Sequence, residues 1–263
     1  MQQEESLIHH TAIVSRDARV DSSVSIGPGA IVEGDVVVGR GTMIGPYAIV
    51  HRFTRIGENN LIGAHAVIGG QPQHSAYDGS ETWVVIGDDN VFREYVTINR
   101  AYEPGAETRI GSNCYLMTSA HVGHDSVVGD NVTMTNNATL AGHVEVGCNV
   151  VMGGMSAAHQ FTRIGKFCMV AGYTPLRKDA LPFTMIGGTP VRHYRLNTTG
   201  LKRNGIDGDR YRDLEAAYRA LRNGDRLLDE VPQSEEVIHL REWLSVKTKY
   251  GHYGFLTKRR NRN

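Results

Sequence analysis

The chain has 263 residues, 40% of them hydrophobic, with 28 Lys and Arg balanced by 28 Asp and Glu. That length allows one large domain or two small ones, and the apolar content excludes a disordered chain. The zero net charge argues against a nucleic-acid binder that works by neutralising phosphates. Residues 1–5 carry neither a basic start nor an apolar run, so no secretory signal is expected. No stretch approaches the roughly eighteen apolar residues of a membrane span. With only Cys114, Cys148 and Cys168, a disulfide framework is not expected, and a cytoplasmic location is.

From Ile8 the chain places Ile or Val at every sixth residue through Val14, Val20, Ile26, Val32 and onward to Ile68. Gly often follows and a small residue such as Ala30, Ala48 or Ala66 often lies four places on. The series breaks after Gly69, resumes in phase at Ile86, breaks after Asn99 and runs again from Ile110 to Val170. A helix needs a period near 3.6, whereas six is a multiple of the strand period, so each repeat turns its aliphatic side chain the same way. The interruptions, at about 70–85 and 100–109, read as loops extruded from a regular solenoid.

This series resembles the hexapeptide-repeat proteins. The resemblance implies an all-β solenoid, a left-handed parallel β-helix with three short strands per eighteen-residue coil, over residues 1–194. On that coil Cys114 and Cys168 stand three coils apart, about 14 Å, too far for a disulfide.

Residues 195–263 read as a C-terminal helical domain. Leu214, Ala217, Tyr218 and Leu221 form one apolar stripe, with Asp207 or Asp209 as N-cap and Gly224 as stop. A second helix begins near Pro232 and Ser234 and runs through Trp243 and Val246. This tail holds 15 Lys and Arg against 10 Asp and Glu, the rest of the chain 13 against 18. It caps the solenoid and offers a docking face to an acidic partner.

Four histidines fall close together: His121, His124, His143 and His159. With eighteen residues per coil, His124 stacks on Gly142 and Gly142 on Gln160, so these residues should line one edge across three coils. An imidazole can take a hydroxyl proton near neutral pH, and a glycine N–H can donate to a developing oxyanion. Asp125 is a candidate orienter of His124, although neighbours in a strand point apart. No two histidines are five residues apart, the spacing of the zinc hydratases of this fold, so no metal is expected.

The segments 93–98, 120–125, 136–144, 153–155 and 159–161, with Gly200-Leu201-Lys202-Arg203, are similar to the UDP-N-acetylglucosamine O-acyltransferase family of lipid A biosynthesis. The similarity spans essentially the whole chain. It implies a homotrimer that moves a 3-hydroxyacyl group from the phosphopantetheine arm of acyl carrier protein to the 3-hydroxyl of a UDP-amino sugar, without a bound cofactor. By position, His124 would be the general base, Asp125 its partner and Gly142 the oxyanion donor. His121, His143, His159 and Gln160 would line the cleft, Asn197 and Arg203 would lie near the nucleotide, and Gly172 with Tyr173 would limit acyl length. Departures fall in the acceptor shell: His74 stands where the family usually has an acid, Ala76 for lysine, Asn99 for histidine, Thr199 for glutamate and Asn204 for arginine. They leave open another nucleotide sugar such as a 3-amino sugar, an acyl-CoA donor, or a non-catalytic scaffold.

Overall fold

The computed structural model describes residues 7–225 and 227–255; the expectation of no secretory signal rests on residues 1–5, which lie outside them. Short strands, mostly of two residues, stack into three sheets of nine, eight and ten strands among the described residues, parallel except for the last strand of the third. The first sheet starts at Ile13–Val14, the second at Arg19–Val20 and the third at Ser25–Ile26. Each strand pairs with the one eighteen residues on, as in Ile13 with Ile31 and Thr139 with Ala157. The step lengthens to thirty between Ile68 and Ile98 and to twenty-four between Ile98 and Val122, so the two interruptions are loops that leave the register intact.

The repeat positions form the core. Ile26, Val50, Ile68, Leu116, Met134, Leu140 and Val170 are buried, and the small residues Ala30, Ala48, Ala66 and Ala120 fill the corners. Burying such side chains is worth about 1.5–3 kcal/mol each. From Gly29 onward most corners turn on a residue in the left-handed region, a conformation uncommon outside glycine. Asp125, His143 and Phe161 form the corner between the first and second sheets, with φ of 58°, 57° and 66°. Asn113, Asn131, Asn149 and Phe167 form the next, and Ser119, Asn137, Met155 and Tyr173 the third. The outer faces differ. The second sheet presents Arg19, Arg55, Arg109, Glu145 and Arg163, whereas the first and third present Ile13, Ile31, Ile49, Met43, Leu61 and Val91.

Thr184–Gly187 pairs antiparallel with Arg192–Leu196, a strand that straddles the expected boundary at 194. Three helices follow: α1 Thr198–Arg203, α2 Gly208–Arg222 and α3 Glu235–Ser245. Helix α2 buries Leu214, Ala217 and Tyr218, with Asp207 at its N-cap position and Gly224 just beyond its end. None of the three could cross a membrane; no helix among the described residues is long and apolar enough. Helix α1 has no apolar stripe to announce it.

After α3 the chain returns to the solenoid. Asp179 N–H donates to Gly251 O (2.9 Å) and Tyr253 N–H donates to Asp179 O (3.1 Å), so residues 249–255 form a strap over the last coil. The strap is fastened by His193, which is fully buried. Leu181 N–H donates to its Nε2 (2.9 Å), and its Nδ1 faces Gly254 O at 3.3 Å. Burial pushes this imidazole down to about 3. An unfolded histidine titrates near 6.5, so between those values the unfolded chain binds a proton that the folded chain refuses. Stability from this group is complete above pH 6.5 and is lost as pH falls toward 3, by about 1.4 kcal/mol per pH unit. Urea unfolding of wild type and His193→Gln at pH 7.5 and 4.5 checks this; the wild type is expected to lose more on acidification. Cys114 and Cys168 are buried free thiols, pushed up by burial to about 11 and about 12. Such thiols are inert at neutral pH.

Candidate active site

His124 is 7% exposed and sits at the corner between the first and second sheets. Its Nδ1–H donates to Asp125 Oδ2 at 2.7 Å. The expectation that adjacent side chains point apart is corrected here: Asp125 is in the left-handed turn (φ 58°) and not in a strand, which swings its carboxylate back onto its neighbour. The same Oδ2 accepts the Tyr102 N–H at 2.8 Å, and Asp125 N–H donates to Thr108 Oγ1 at 2.8 Å. The 100–109 segment thus holds Asp125 by both its carboxylate and its backbone N–H. With Nδ1 committed to Asp125, Nε2 is the atom left to act as base.

Gly142 stacks one coil beyond. A Cβ built on it would lie 2.5 Å from both Cε1 and Nε2 of His124, so the ring lies flat against bare backbone. The Gly142 N–H has no hydrogen-bond partner among the described residues. His143 Nε2 lies 3.7 Å from Asp125 Oδ2, and its ring meets His124 edge-on at 5.2 Å and stacks on Phe161 at 4.7 Å. Burial lowers the pKa of His143 against the opposing pull of Asp125. His121 shares a 2.7 Å hydrogen bond with Thr97 Oγ1; burial and the neighbouring His124 lower its pKa. His74 reaches in from the 70–85 loop, 3.9 Å from the Tyr102 ring and 5.7 Å from His124, edge-on.

Other expected site residues lie elsewhere in the chain. His159 is exposed and its ring packs against Tyr250 at 5.5 Å. Gln160 is half-buried, one coil beyond Gly142 in its column. Asn197 caps α1: its Oδ1 accepts the Gly200 N–H and its Nδ2 donates to Phe167 O, at the second corner. Arg203 is exposed at the end of α1. Gly172 and Tyr173 stand at the third corner, where Tyr173 is 78% exposed. Asn99 donates from Nδ2 to Gln71 O and so anchors the acceptor loop. Tyr102, Thr108 and Phe161 escape sequence reading; the only hint is that the loop holding Tyr102 interrupts the repeat one coil before His124.

His124, Asp125 and His143 offer ligand atoms within 4.8 Å of one another. The His124–Asp125 hydrogen bond already joins two of these atoms, a pairing suited to proton transfer.

A histidine–carboxylate pair backed by a glycine on the edge of a hexapeptide solenoid defines a hexapeptide-repeat transferase. The bacterial transferase hexapeptide profile matches residues 17–52, 35–70 and 107–142, and that of UDP-N-acetylglucosamine O-acyltransferase, domain 2, matches residues 179–251. The acyl-[acyl-carrier-protein]–UDP-N-acetylglucosamine O-acyltransferase of Anaeromyxobacter dehalogenans is 50% identical over 213 residues, 81% of this chain and 83% of that one. The protein of that name from Synechocystis is 43% identical over 159 residues, 60% of this chain and 58% of that one. The solved UDP-N-acetylglucosamine acyltransferase of Campylobacter jejuni superposes with a TM-score of 0.87 at 33% identity, covering 95% of this chain and 100% of that one. The chain belongs to the UDP-N-acetylglucosamine O-acyltransferase family, and its fold is the left-handed parallel β-helix with a C-terminal helical part.

Proposed function

We propose that the protein transfers a 3-hydroxyacyl chain from acyl carrier protein to the 3-hydroxyl of UDP-N-acetylglucosamine, the first step of lipid A biosynthesis. The observation that carries this reading is the His124 ring, tied to Asp125 through Nδ1 and laid against the backbone of Gly142, whose N–H has no partner among the described residues. Nε2 takes the hydroxyl proton as the sugar oxygen attacks the thioester carbonyl. The oxyanion receives the Gly142 N–H, and Asp125 stabilises the imidazolium. Collapse expels the phosphopantetheine thiolate, which recovers the proton from His124.

The active form is a homotrimer. Two outer faces are mostly apolar and the third carries the charged strand residues, which suits a closed ring in which each copy uses two different faces. The separation of His124, Asn197 and Tyr173 onto three corners also supports sites shared between copies, with the nucleotide and acyl-length positions supplied by a neighbour.

One observation favours a second reading, a different nucleotide sugar as acceptor: His74 stands over the dyad where the family usually has an acid. Incubating the protein with hydroxyacyl carrier proteins and a panel of UDP-sugars, with mass spectrometry of products, decides between them. The expected result is acylated UDP-N-acetylglucosamine from a species sedimenting at about 87 kDa, three times the chain's 28.9 kDa. Acylation of another sugar alone establishes the second reading, and no acylated sugar at all rejects both.

A further inference from the structure

In the regular coils the left-handed corner residue gives its N–H to a backbone carbonyl one coil earlier. His143 donates to His124 O (2.9 Å), Asn131 to Ser112 O (2.9 Å), Asn137 to Thr118 O (3.1 Å) and Tyr173 to Gly154 O (2.9 Å). Asp125, left-handed like these, departs from the rule. In the coil before it the chain leaves the repeat over residues 100–109, and the Asp125 N–H donates to the Thr108 hydroxyl at 2.8 Å. A buried N–H without an acceptor is costly, so a loop that takes a corner out of the backbone pattern needs a substitute.

Thr108 is placed to be that substitute. It lies in the strand Glu107–Ile110, where alternation turns it inward, and it is fully buried. Val36 and Val84 occupy the same column of the second sheet and are buried as well. Packing there is met by an aliphatic side chain, so the hydroxyl of Thr108 answers a different need. The other end of Asp125 is held by the same segment: Oδ2 accepts the Tyr102 N–H at 2.8 Å and the His124 Nδ1–H at 2.7 Å. A left-handed turn outside glycine persists only where its surroundings fix it, and this turn swings the carboxylate onto the imidazole.

We propose that Thr108 is a positioning residue for the acyl transfer: its buried hydroxyl replaces the corner carbonyl, fixes the turn at Asp125 and, through Asp125, sets the orientation of the His124 ring and the aim of Nε2. This role rests on the acyl-transfer reading above and adds to it the side chain that holds the base in register. A displacement of about 1 Å at the base is enough to cost about 10²-fold in rate, so a single hydrogen bond beneath the turn has a large lever.

The test uses the full-length protein. Thr108→Val keeps the shape and removes the acceptor, whereas Thr108→Ser keeps the acceptor and removes the methyl. Thr42→Val is the control: Thr42 is a buried hydroxyl at another corner that accepts the Asn60 N–H at 3.2 Å and donates to Gly57 O at 3.0 Å. Two quantities are read. One is steady-state transfer from hydroxyacyl carrier protein to UDP-N-acetylglucosamine. The other, taken without substrates, is the hydrogen-bonded Nδ1–H resonance of His124, assigned by its loss in His124→Ala. Thr108→Val is expected to lower kcat about tenfold to a hundredfold with both KM values within about twofold, and to shift or broaden the resonance. Thr108→Ser should bring both back to near the wild-type values, and Thr42→Val should lower Tm while leaving both unchanged. A wild-type kcat and resonance in Thr108→Val overturn the proposal. So do equal losses in the valine and serine variants, which would make the methyl the important group, or a matching loss of kcat in Thr42→Val. Should Thr108→Val not fold, Thr108→Cys, whose thiol is a weak acceptor, is judged by the same outcomes. Failure of the wild type to acylate any sugar rejects the functional reading itself, and the resonance then still decides whether Thr108 holds the His124–Asp125 pair.

Discussion

His124→Ala is expected to lower kcat/KM by about 10² to 10⁴, the usual contribution of a positioned general base, while leaving the melting temperature nearly unchanged. The base is separable from the fold because the ring packs on the corner outside the aliphatic core, over Gly142 and beside His74 and His143. Asp125 shares the dyad but also holds the 100–109 loop through Tyr102 N–H, so a change there mixes chemistry with structure. His124 is the cleaner probe. A steady-state assay with a circular-dichroism melt checks it; turnover within threefold of wild type removes His124 as the base.

Gly142→Ala is expected to have an effect of similar size, at least about 10²-fold, for a different reason. The new methyl would stand 2.5 Å from Cε1 and Nε2 of His124, well inside contact distance. Something must move, and the ring moves more easily than the coil, whose carbonyl accepts the Phe161 N–H. Moving the ring breaks its 2.7 Å hydrogen bond to Asp125 and turns Nε2 away from the acceptor. It also spoils the aim of the Gly142 N–H, and losing one oxyanion donor alone costs about 10² to 10³. The histidine proton resonances give a second readout: in Gly142→Ala the hydrogen-bonded Nδ1–H signal of His124 should shift or vanish. A near-normal rate with an intact signal would mean that the ring does not lie where the structure places it.

The solenoid was legible because its rule is local and repeated. A side chain at Ile26 or Val50 points inward for the same reason as every sixth neighbour, so register survived both loop insertions. The stacking of Gly142 on His124 was legible too, since eighteen-residue periodicity brings them together without knowledge of side-chain angles. What failed was whatever depends on the corner itself. The strand rule misplaced Asp125, because the left-handed turn reverses its side chain. The same arithmetic set His159 beside Gln160 but did not show that its ring packs against Tyr250. The contents of the loops were opaque: nothing in the sequence brings His74 and Tyr102 together over His124. Helix α1 is too short to show a period, so the cap that Asn197 places on it was not legible in the sequence.

The strap also has a temporal meaning. Coils of a solenoid can add one after another as the chain emerges, each templated by the last. The final coil is different, because residues 249–253, made about seventy residues after Asp179, close it. Until they arrive, the terminal coil keeps an open edge. Completion of synthesis and burial of that edge are therefore a single event, so an unfinished chain already holds the His124–Asp125 pair against Gly142 while its last coil is still open.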